Sequence, residues 1–463
     1  MRVDSPRSPS LLPLLSFLGM ALIAGPAAAQ SSTSTAAALP GEGGALHRAP
    51  MPMGGVDDGS QTPVAEPEVK PEPKAEAKPE PKAEVKPEVK ATGAEQAQKA
   101  EVASLEPARR SRAGSSFGSN AAEDVVGGIN LRWNGYMRLI GEVIQNDDNS
   151  AFIGRNDGFK LGSARLGMLA SKGAFAAYIS FEAAAGQREN FNDPNSTFRV
   201  MPRDAYMRYE VSQFAHVTAG RFKTPYDLSS LEATALRTFI DQPIESRGVL
   251  ATQGFELAGL ATDRQLGVMV HKDHLGLSHD GFDVGYALAL TNGFSPNLRF
   301  NDNDRPAAFM RLSAYYSDML ALNLAGFADS RTTGDLPNLF DEDVKGLEVS
   351  MLASFFRLRL EAQFLYQNTQ FDTSGQPDVN SMGGHVQFSY ELWGISMAYR
   401  FAFLDPNLDD IDDADRVIEH TIGLGYGMES LPLRFLLNGT VAQEQAGRKL
   451  SNNRLTLLAQ FIF

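Results

Sequence analysis

The chain contains no cysteine, and beyond its first 30 residues it contains no long apolar run. The absence of cysteine excludes disulfides, thiolate metal sites and cysteine nucleophiles. The absence of an internal apolar run of about 18 residues excludes an internal transmembrane helix. A mean hydropathy of −0.22 is also too polar for a helical membrane protein. The 42 Lys+Arg residues against 56 Asp+Glu give a net charge of −14, which argues against nucleic acid as a partner.

Residues 1–29 have the pattern of a secretory signal peptide. Arg2 and Arg7 precede the apolar stretch "LLPLLSFLGMALIAG", and Ala27 and Ala29 supply the small residues of a cleavage site, predicted after Ala29. An N-terminal membrane anchor is the disfavoured alternative, because the stretch is short and contains Pro13. We therefore expect export, and an exported chain without cysteine fits a bacterial envelope protein.

Residues 30–128 have the composition of a linker. Their centre, "PEVKPEPKAEAKPEPKAEVKPEVK" at 67–90, repeats Pro, Glu, Lys, Ala and Val without an apolar face. Proline at that frequency favours extended polyproline II at about 3.1 Å per residue, or roughly 75 Å for the segment. The sequence predicts a disordered periplasmic linker. A spacer that crosses the periplasm and touches peptidoglycan is the alternative, and nothing in the residues identifies the partner.

From residue 129 onward, segments of about ten residues alternate between polar and apolar side chains. In "RLTLLAQFIF", Arg454, Thr456 and Gln460 share one parity. The other parity holds only apolar residues: Leu455, Leu457, Ala459, Phe461 and Phe463. This two-residue period is that of β-strands with one wet face. Charges recur on the polar face and aromatics near the strand ends, a pattern typical of a transmembrane β-barrel with a hydrated lumen.

The connections between these segments alternate in length. "SKG", "SQF", "SFF", "ELWG" and "MESLP" are short, whereas "NDDNSAFIGRNDG" and "AGQRENFNDPNST" are long. Outer-membrane barrels have short periplasmic turns and long external loops. A barrel must close, because an open edge in lipid leaves unpaired backbone groups. We therefore predict that the last strand pairs with the first, and that Phe463 is an assembly signal read by the barrel-assembly machinery.

We predict an all-β fold for residues 129–463: an antiparallel barrel of about sixteen strands. Between 253 and 292 the sequence allows either two strands or three, "FELAGLA", "QLGVMVH" and "DVGYALAL". An even number favours two. The acidic runs at 341–343 and 409–415 are assigned to external loops, where they are solvated or bridge lipopolysaccharide through divalent cations.

Residues 203–247 resemble the phosphate-selective porin O and P family. The likeness rests on "DAY", on "GRFKTPY" at the end of the next strand, and on a long loop with Glu232 that runs to "ESRG". "TNG" at Thr291–Gly293 adds to it. The resemblance implies a homotrimeric sixteen-stranded channel in the outer membrane, with its third loop folded inward and basic residues along an anion path.

The long loop has physical features of its own. It carries Leu228, Leu231, Leu236, Phe239 and Ile240, which a loop surrounded by water does not need. We predict that it packs inside the barrel; a solvated surface loop is the alternative. The predicted constriction sets one row of cations against one row of anions, which fixes ion selectivity. These residues are Lys223, Arg237 and Arg247, with Asp227, Glu232 and Asp241 opposite.

The predicted pore lining holds nearly as many acids as bases. The basic positions are Arg132, Arg138, Arg208, Arg311, Arg357, Arg359, Arg400, Arg434 and Arg454. The acidic positions are Glu142, Glu182, Asp204, Glu210, Glu348, Glu361, Glu391 and Glu419. The sequence therefore favours passive uptake of small anions, phosphate among them, but leaves open a general or cation-leaning porin. A structural barrel tethered to the cell wall by the linker is a further alternative.

Catalysis is not expected. No HExxH or P-loop pattern occurs. His271, His274 and His279 cluster near Asp273 and Asp280, but a polar external loop explains them better than a metal site does. No cofactor and no metal are predicted.

Overall fold

A computed structural model gives the fold of the C-terminal three-quarters of the chain. It describes residues 123–148, 150, 153–154, 157–184, 199–250, 253–276, 281–293, 303–335, 338–372, 376–410, 415–428, 431–444 and 450–463. The predicted signal peptide and the linker up to residue 122 lie outside the described residues. None of the helices in the described part is long and apolar enough to span a membrane.

Nineteen strands are formed by the described residues, and sixteen of them make a closed antiparallel barrel. The barrel strands of the first half are β2 Ile129–Ile144, β3 Gly158–Lys172, β4 Phe175–Ala184, β5 Arg199–Ser212, β6 Ala215–Lys223, β9 Arg264–Lys272, β10 Phe282–Thr291 and β11 Ala307–Tyr316. Those of the second half are β12 Leu320–Asp335, β13 Asn338–Phe355, β14 Leu358–Phe371, β15 Val379–Leu392, β16 Ile395–Asp405, β17 Val417–Met428, β18 Leu433–Glu444 and β19 Arg454–Ile462. The prediction of about sixteen strands is confirmed.

The other three strands are short. β1 (Glu123–Val126) pairs with β2 across the Gly127–Gly128 turn, so residues 123–128 form a hairpin although the sequence assigned them to the linker. β7 (Gly248–Val249) and β8 (Leu257–Ala258) pair only with each other. The segment "FELAGLA" is therefore not a barrel strand, and β6 pairs directly with β9.

The barrel closes between β19 and β2, in register from Arg454 opposite Ile144 to Ile462 opposite Tyr136. Phe463 extends the ladder, because its N–H donates to the Gly135 carbonyl at 3.0 Å and its carbonyl accepts from the Gly135 N–H at 2.8 Å. A Cβ on Gly135 would lie 2.5 Å from the Phe463 ring and from the Arg165 carbonyl oxygen. Glycine at this position therefore leaves the space that the ring occupies.

The two faces of the wall differ as the alternation predicts. On β19, Thr456 and Gln460 are buried towards the lumen, whereas Leu455 and Leu457 are about half exposed on the outside. The outer surface carries many further exposed apolar side chains, far more than a water-soluble surface tolerates as a contiguous patch. This is the outer wall of a barrel that spans a lipid bilayer.

Short turns cluster at one end of the barrel, the end that also holds the seam at Phe463. Two of these turns present Phe356 and Trp393, which are almost fully exposed and adopt positive φ angles of 56° and 52°. Bulky residues rarely take this conformation. Exposed aromatics at a barrel rim are typical of the interfacial girdle. The described part of the β9–β10 connection, residues 273–276 and 281, lies at this same end. His274 therefore does not belong to an external loop as the sequence suggested.

The opposite end carries the longer connections. The acidic run 341–343 is not in a loop: it begins β13 and pairs with β12, where Arg331 contacts Glu342. Of the run 409–415, residues 411–414 lie outside the described residues.

Candidate functional site: the loop inside the barrel

The longest connection, residues 224–263 between β6 and β9, lies inside the barrel, and we call it the inner loop. It contains helix α1 (Leu228–Leu231), a 3-10 turn (Thr234–Leu236), helix α2 (Ile244–Arg247) and the β7–β8 pair. Tyr226, Ile240 and Ile244 are at most 1% exposed. Apolar residues in this loop therefore pack against the lumen wall, as their presence predicted.

The start of the inner loop is fixed to β13 and β14. Glu348 accepts hydrogen bonds from the Asp227 and Leu228 N–H groups at 2.7 and 3.0 Å. Asp227 caps α1 by accepting from the Ser229 N–H at 3.1 Å, and it also accepts from the Gln363 side-chain amide at 2.6 Å. Asp227 has a φ of 65°. Its several hydrogen bonds hold this sparsely populated conformation in place.

Helix α2 is fixed by charged side chains to the neighbouring part of the wall, on β15, β17 and β19. Arg247 pairs with Glu419 at 2.6 Å, and Glu419 also pairs with Arg454 at 2.9 Å. A second contact joins Glu245 of the helix to His385 of β15, at 2.5 Å. Removing one member of such a buried pair leaves the other charge uncompensated, which is costly. These pairs therefore hold the loop in a defined position.

Between its two helices the loop crosses towards the barrel seam, and we call residues 234–242 the crossing segment. Its backbone carbonyls accept hydrogen bonds from wall arginines: Ala235 from Arg434 at 3.1 Å and Ile240 from Arg138 at 2.7 Å. Arg400 donates to the Asp241 carbonyl at 3.1 Å. Ile240 also packs against wall residues, namely Ile140, Leu436 and Leu458. The crossing segment is therefore held by both apolar packing and guanidinium groups.

The charge around the crossing segment is strongly positive. Arg138, Arg400 and Arg434 donate to carbonyls of this segment, and Arg237 lies within the segment. The only carboxylate side chain of residues 234–242 is that of Asp241. Among the described residues, none of these four arginines has a carboxylate within 4 Å. Burial and the like charge of Arg138 lower the pKa of Arg237 to about 10, so it stays protonated at neutral pH.

Nearby positive charges also affect the pKa of Asp241. Burial alone would raise its pKa, but Arg247 and Arg454 hold the pKa of Asp241 below its ordinary value. Its single negative charge compensates only part of the guanidinium charge.

The six residues predicted for the constriction occupy different environments. Asp227 is fully buried at the contact between loop and wall, so it does not border an aqueous path as the sequence suggested. Lys223 donates to the carbonyls of Leu231 and Glu232 at 3.0 and 3.1 Å. Glu232 is buried, with an oxygen 3.8 Å from Arg359. Arg237, Asp241 and Arg247 are half-buried. The six therefore do not form two facing rows of charge.

Most of the predicted pore-lining residues lie on the inward parity of their strands. Buried inward positions include Arg138, Arg208, Arg400, Arg454, Asp204, Glu348, Glu361 and Glu419, and partly buried ones include Arg132, Arg311, Arg359, Arg434, Glu142, Glu182 and Glu210. Arg357 and Glu391 are exposed at the short-turn end. Arg357 is outside the strands, in the turn between β13 and β14.

A charged network on the lumen wall includes residues that the sequence pattern did not single out. Arg165 and Arg203 both contact Glu182, at 2.8 and 2.6 Å, and Arg264 contacts Asp204 at 2.7 Å. β-Bulges shift the pairing at Arg138/Leu139 and at Ser180/Phe181. Gly162 is the unpaired residue of the first bulge, so side-chain parity on β3 is reversed before Arg165, and Arg203 is itself the unpaired residue of the second bulge. Counting alternate positions along the whole strand therefore fails at both arginines.

The histidines form no metal centre in the described part of the chain. No group of three or more His, Cys, Asp or Glu residues there could hold a metal ion. His271 contacts Thr218 at 3.0 Å and His274 contacts Asp283 at 3.2 Å, while His279 lies outside the described residues. These contacts satisfy the two rings locally.

A closed sixteen-stranded barrel with an apolar outer wall and a loop folded into its lumen is the architecture of a porin. No family model matches the chain, and no curated protein matches its sequence. Solved outer-membrane porins match its fold. The anion-selective porin from Comamonas acidovorans matches with a TM-score of 0.52 at 14% identity, over 72% of this chain and 100% of that one.

Two further structures match in the same way. OmpF of Salmonella typhi, in complex with daunomycin, has a TM-score of 0.52 at 13% identity, over 74% of this chain and 100% of its own. The outer-membrane channel DcaP of Acinetobacter baumannii has a TM-score of 0.51 at 14% identity, again over 74% and 100%. These likenesses establish that residues 123–463 have the outer-membrane porin fold.

Proposed function

We propose that this protein is an outer-membrane porin through which small anions diffuse, and that the crossing segment sets its selectivity. The observation that carries the proposal is the charge balance there: four guanidinium groups, from Arg138, Arg237, Arg400 and Arg434, against the carboxylate of Asp241. The sequence left selectivity undecided because acidic and basic residues are nearly equal in number over the whole lumen. The local excess of positive charge matters more than that balance, because the electric field is focused where the passage is narrow.

Pairing explains why the acidic residues of the wall count for less. Glu419 is shared by Arg247 and Arg454, Glu182 by Arg165 and Arg203, and Asp204 is held by Arg264. A carboxylate already neutralised by a guanidinium attracts passing cations weakly. Catalysis has no part in the proposal, since a channel of this kind needs only its field and its width.

Phosphate is one of the anions that this cluster fits, because guanidinium groups donate paired hydrogen bonds to phosphate oxygens. The resemblance of residues 203–247 to the phosphate-selective porin family supports the same substrate. We further propose the homotrimer of that family, in outer-membrane lipid and lipopolysaccharide, with residues 30–122 in the periplasm as a linker and peptidoglycan as its candidate partner.

The purified full-length protein in a planar bilayer tests this function. Under a potassium chloride gradient we expect the sign of the reversal potential to show that chloride permeates better than potassium. We also expect added phosphate to reduce the chloride current. A reversal potential of the opposite sign would contradict anion selectivity. An anion-selective current that phosphate leaves unchanged would contradict phosphate as a substrate while retaining the channel.

A further inference from the structure

A separate pocket opens off the lumen between the inner loop and the short-turn end of the barrel. Its volume is about 260 Å³. Pro225, Leu231 and Ala233 of the inner loop form one side of it, and Asp273 and His274 of the β9–β10 connection form the other. None of the four arginines around the crossing segment lines this pocket. It is therefore distinct from the positive cluster described above.

The walls of the pocket are mainly apolar and aromatic. Tyr178 and Tyr206 face each other with ring centroids 5.6 Å apart, and Phe222, Met269 and Tyr315 complete the surface. An inorganic ion gains nothing from such walls, whereas a ligand with an apolar ring gains the free energy of burying that ring. The volume is suited to a ligand of one ring.

Among the described residues, two arginines of the pocket lining have unpaired nitrogens: Arg165 at Nε alone, and Arg208 at two atoms. Arg208 is 9% exposed and lines the pocket. Its Nε and one terminal nitrogen have no hydrogen-bond partner in the described part of the chain. Its guanidinium lies 5.9 Å from the centroid of the Tyr206 ring. Buried charged groups without a carboxylate partner are rare and costly, and a carboxylate in the pocket beside Arg208 would compensate the guanidinium charge.

The other cations of the pocket have partners within the protein. Arg165 pairs with Glu182 at 2.8 Å, and Lys223 donates to the carbonyls of Leu231 and Glu232. Arg264 is paired with Asp204 at 2.7 Å, and Arg311 donates to the Asn323 side chain at 3.0 Å. The carboxyl of Asp273 faces the same space, and burial raises its pKa even though Arg311 and Arg208 act in the opposite sense. A second negative charge on the ligand would be repelled by Asp273 when ionised.

We propose that this pocket binds a small monocarboxylate with an apolar ring, its carboxylate on Arg208 and its ring between Tyr206 and Leu231. This inference rests on the proposed function, since the ligand reaches the pocket as one of the anions that the channel passes. It adds a substrate class, aromatic carboxylates, that the positive cluster alone does not select.

Calorimetric titration of the purified full-length protein in detergent with benzoate tests the proposal. We expect saturable binding, with acetate at least tenfold weaker because it lacks the ring, and no displacement of benzoate by equimolar phosphate. Arg208→Gln should weaken benzoate binding at least tenfold, and Arg208→Lys should restore part of the loss. Lys160→Gln, which neutralises a lumen lysine paired with Glu142, is the matched control and should change binding less than twofold.

Two outcomes overturn the proposal: absence of benzoate binding to the unaltered protein, or unchanged binding in Arg208→Gln. If Arg208→Gln does not assemble, Leu231→Glu provides the same test by placing a negative charge beside the ring, and unchanged binding in that variant likewise overturns it. Because titration does not depend on conduction, a channel that is anion-selective but binds no benzoate refutes only this inference. A protein that binds benzoate through Arg208 but conducts no anions refutes only the proposed function.

Discussion

Arg237 is the residue whose charge we expect to matter most for selectivity. It is half-buried in the crossing segment, it has no carboxylate within 4 Å among the described residues, and it is not one of the arginines that donate to the loop carbonyls. Arg237→Gln therefore removes a charge with little effect on the position of the loop. An ion that passes at about 6 Å in water-like dielectric interacts with one charge by about 0.7 kcal/mol.

Neutralisation of Arg237 acts on both ions at once. The energy of an anion rises by about 0.7 kcal/mol and that of a cation falls by the same amount, so the difference changes by about 1.4 kcal/mol. This corresponds to about a tenfold fall in the anion-to-cation permeability ratio. The ratio is obtained from the reversal potential of a planar bilayer under a potassium chloride gradient.

Arg237→Lys is the matched control, because it keeps the charge and changes the shape of the side chain. We expect its permeability ratio to stay within about twofold of the unaltered protein, a difference of about 0.4 kcal/mol. If Arg237→Gln moves the ratio no more than Arg237→Lys does, the crossing segment does not set selectivity, and the electrostatic argument is wrong.

Three further predictions concern stability and organisation. Glu419→Gln should leave Arg247 and Arg454 without their shared carboxylate, which costs about 3 kcal/mol of stability and increases the noise of the single-channel current. Low current noise together with an unchanged unfolding temperature would contradict this. Asp227→Ala should remove the α1 cap and a buried hydrogen-bond acceptor at a cost of about 1–3 kcal/mol of stability. The heat-induced shift of the protein on a gel should then occur at a lower temperature, and a shift at the original temperature would refute the prediction. Trypsin added to the purified protein should cut within residues 30–122 and leave the barrel intact, whereas a protected fragment spanning residue 80 would exclude a linker there.

Much of the barrel was predictable from local patterns. The alternation in "RLTLLAQFIF" identified Thr456 and Gln460 as inward and Leu455 as outward, because side chains on a strand point to opposite faces in turn. The apolar residues of the long loop likewise predicted its packing, since Phe239 and Ile240 would be exposed on a surface loop. "FELAGLA" stayed ambiguous because a short apolar segment is compatible both with a barrel strand and with the β7–β8 pair inside the lumen.

The candidate site was only partly predictable, for a different reason. The sequence identified Arg237 and Arg247 as charged loop residues, but it could not show that Arg247 is neutralised by Glu419, which lies 172 positions away. Nor could it show that Arg237 has no carboxylate within 4 Å in the described part of the chain. It also placed Asp227 beside water, although hydrogen bonds to Gln363 and Ser246 keep it fully buried.

Three features follow from the two-residue period of the sequence: that the chain forms a barrel, which face of most strands meets lipid, and which charged residues can reach the lumen. All three are predictable because this period depends only on neighbouring residues. Only the tertiary structure decided which of those charges are cancelled. That outcome depends on two bulges, one that precedes Arg165 and one that contains Arg203. It also depends on the closure that brings Arg138, Arg400 and Arg434 from separate strands to the carbonyls of one crossing segment. Coulomb attraction depends on distance in space, and separation along the chain does not specify it.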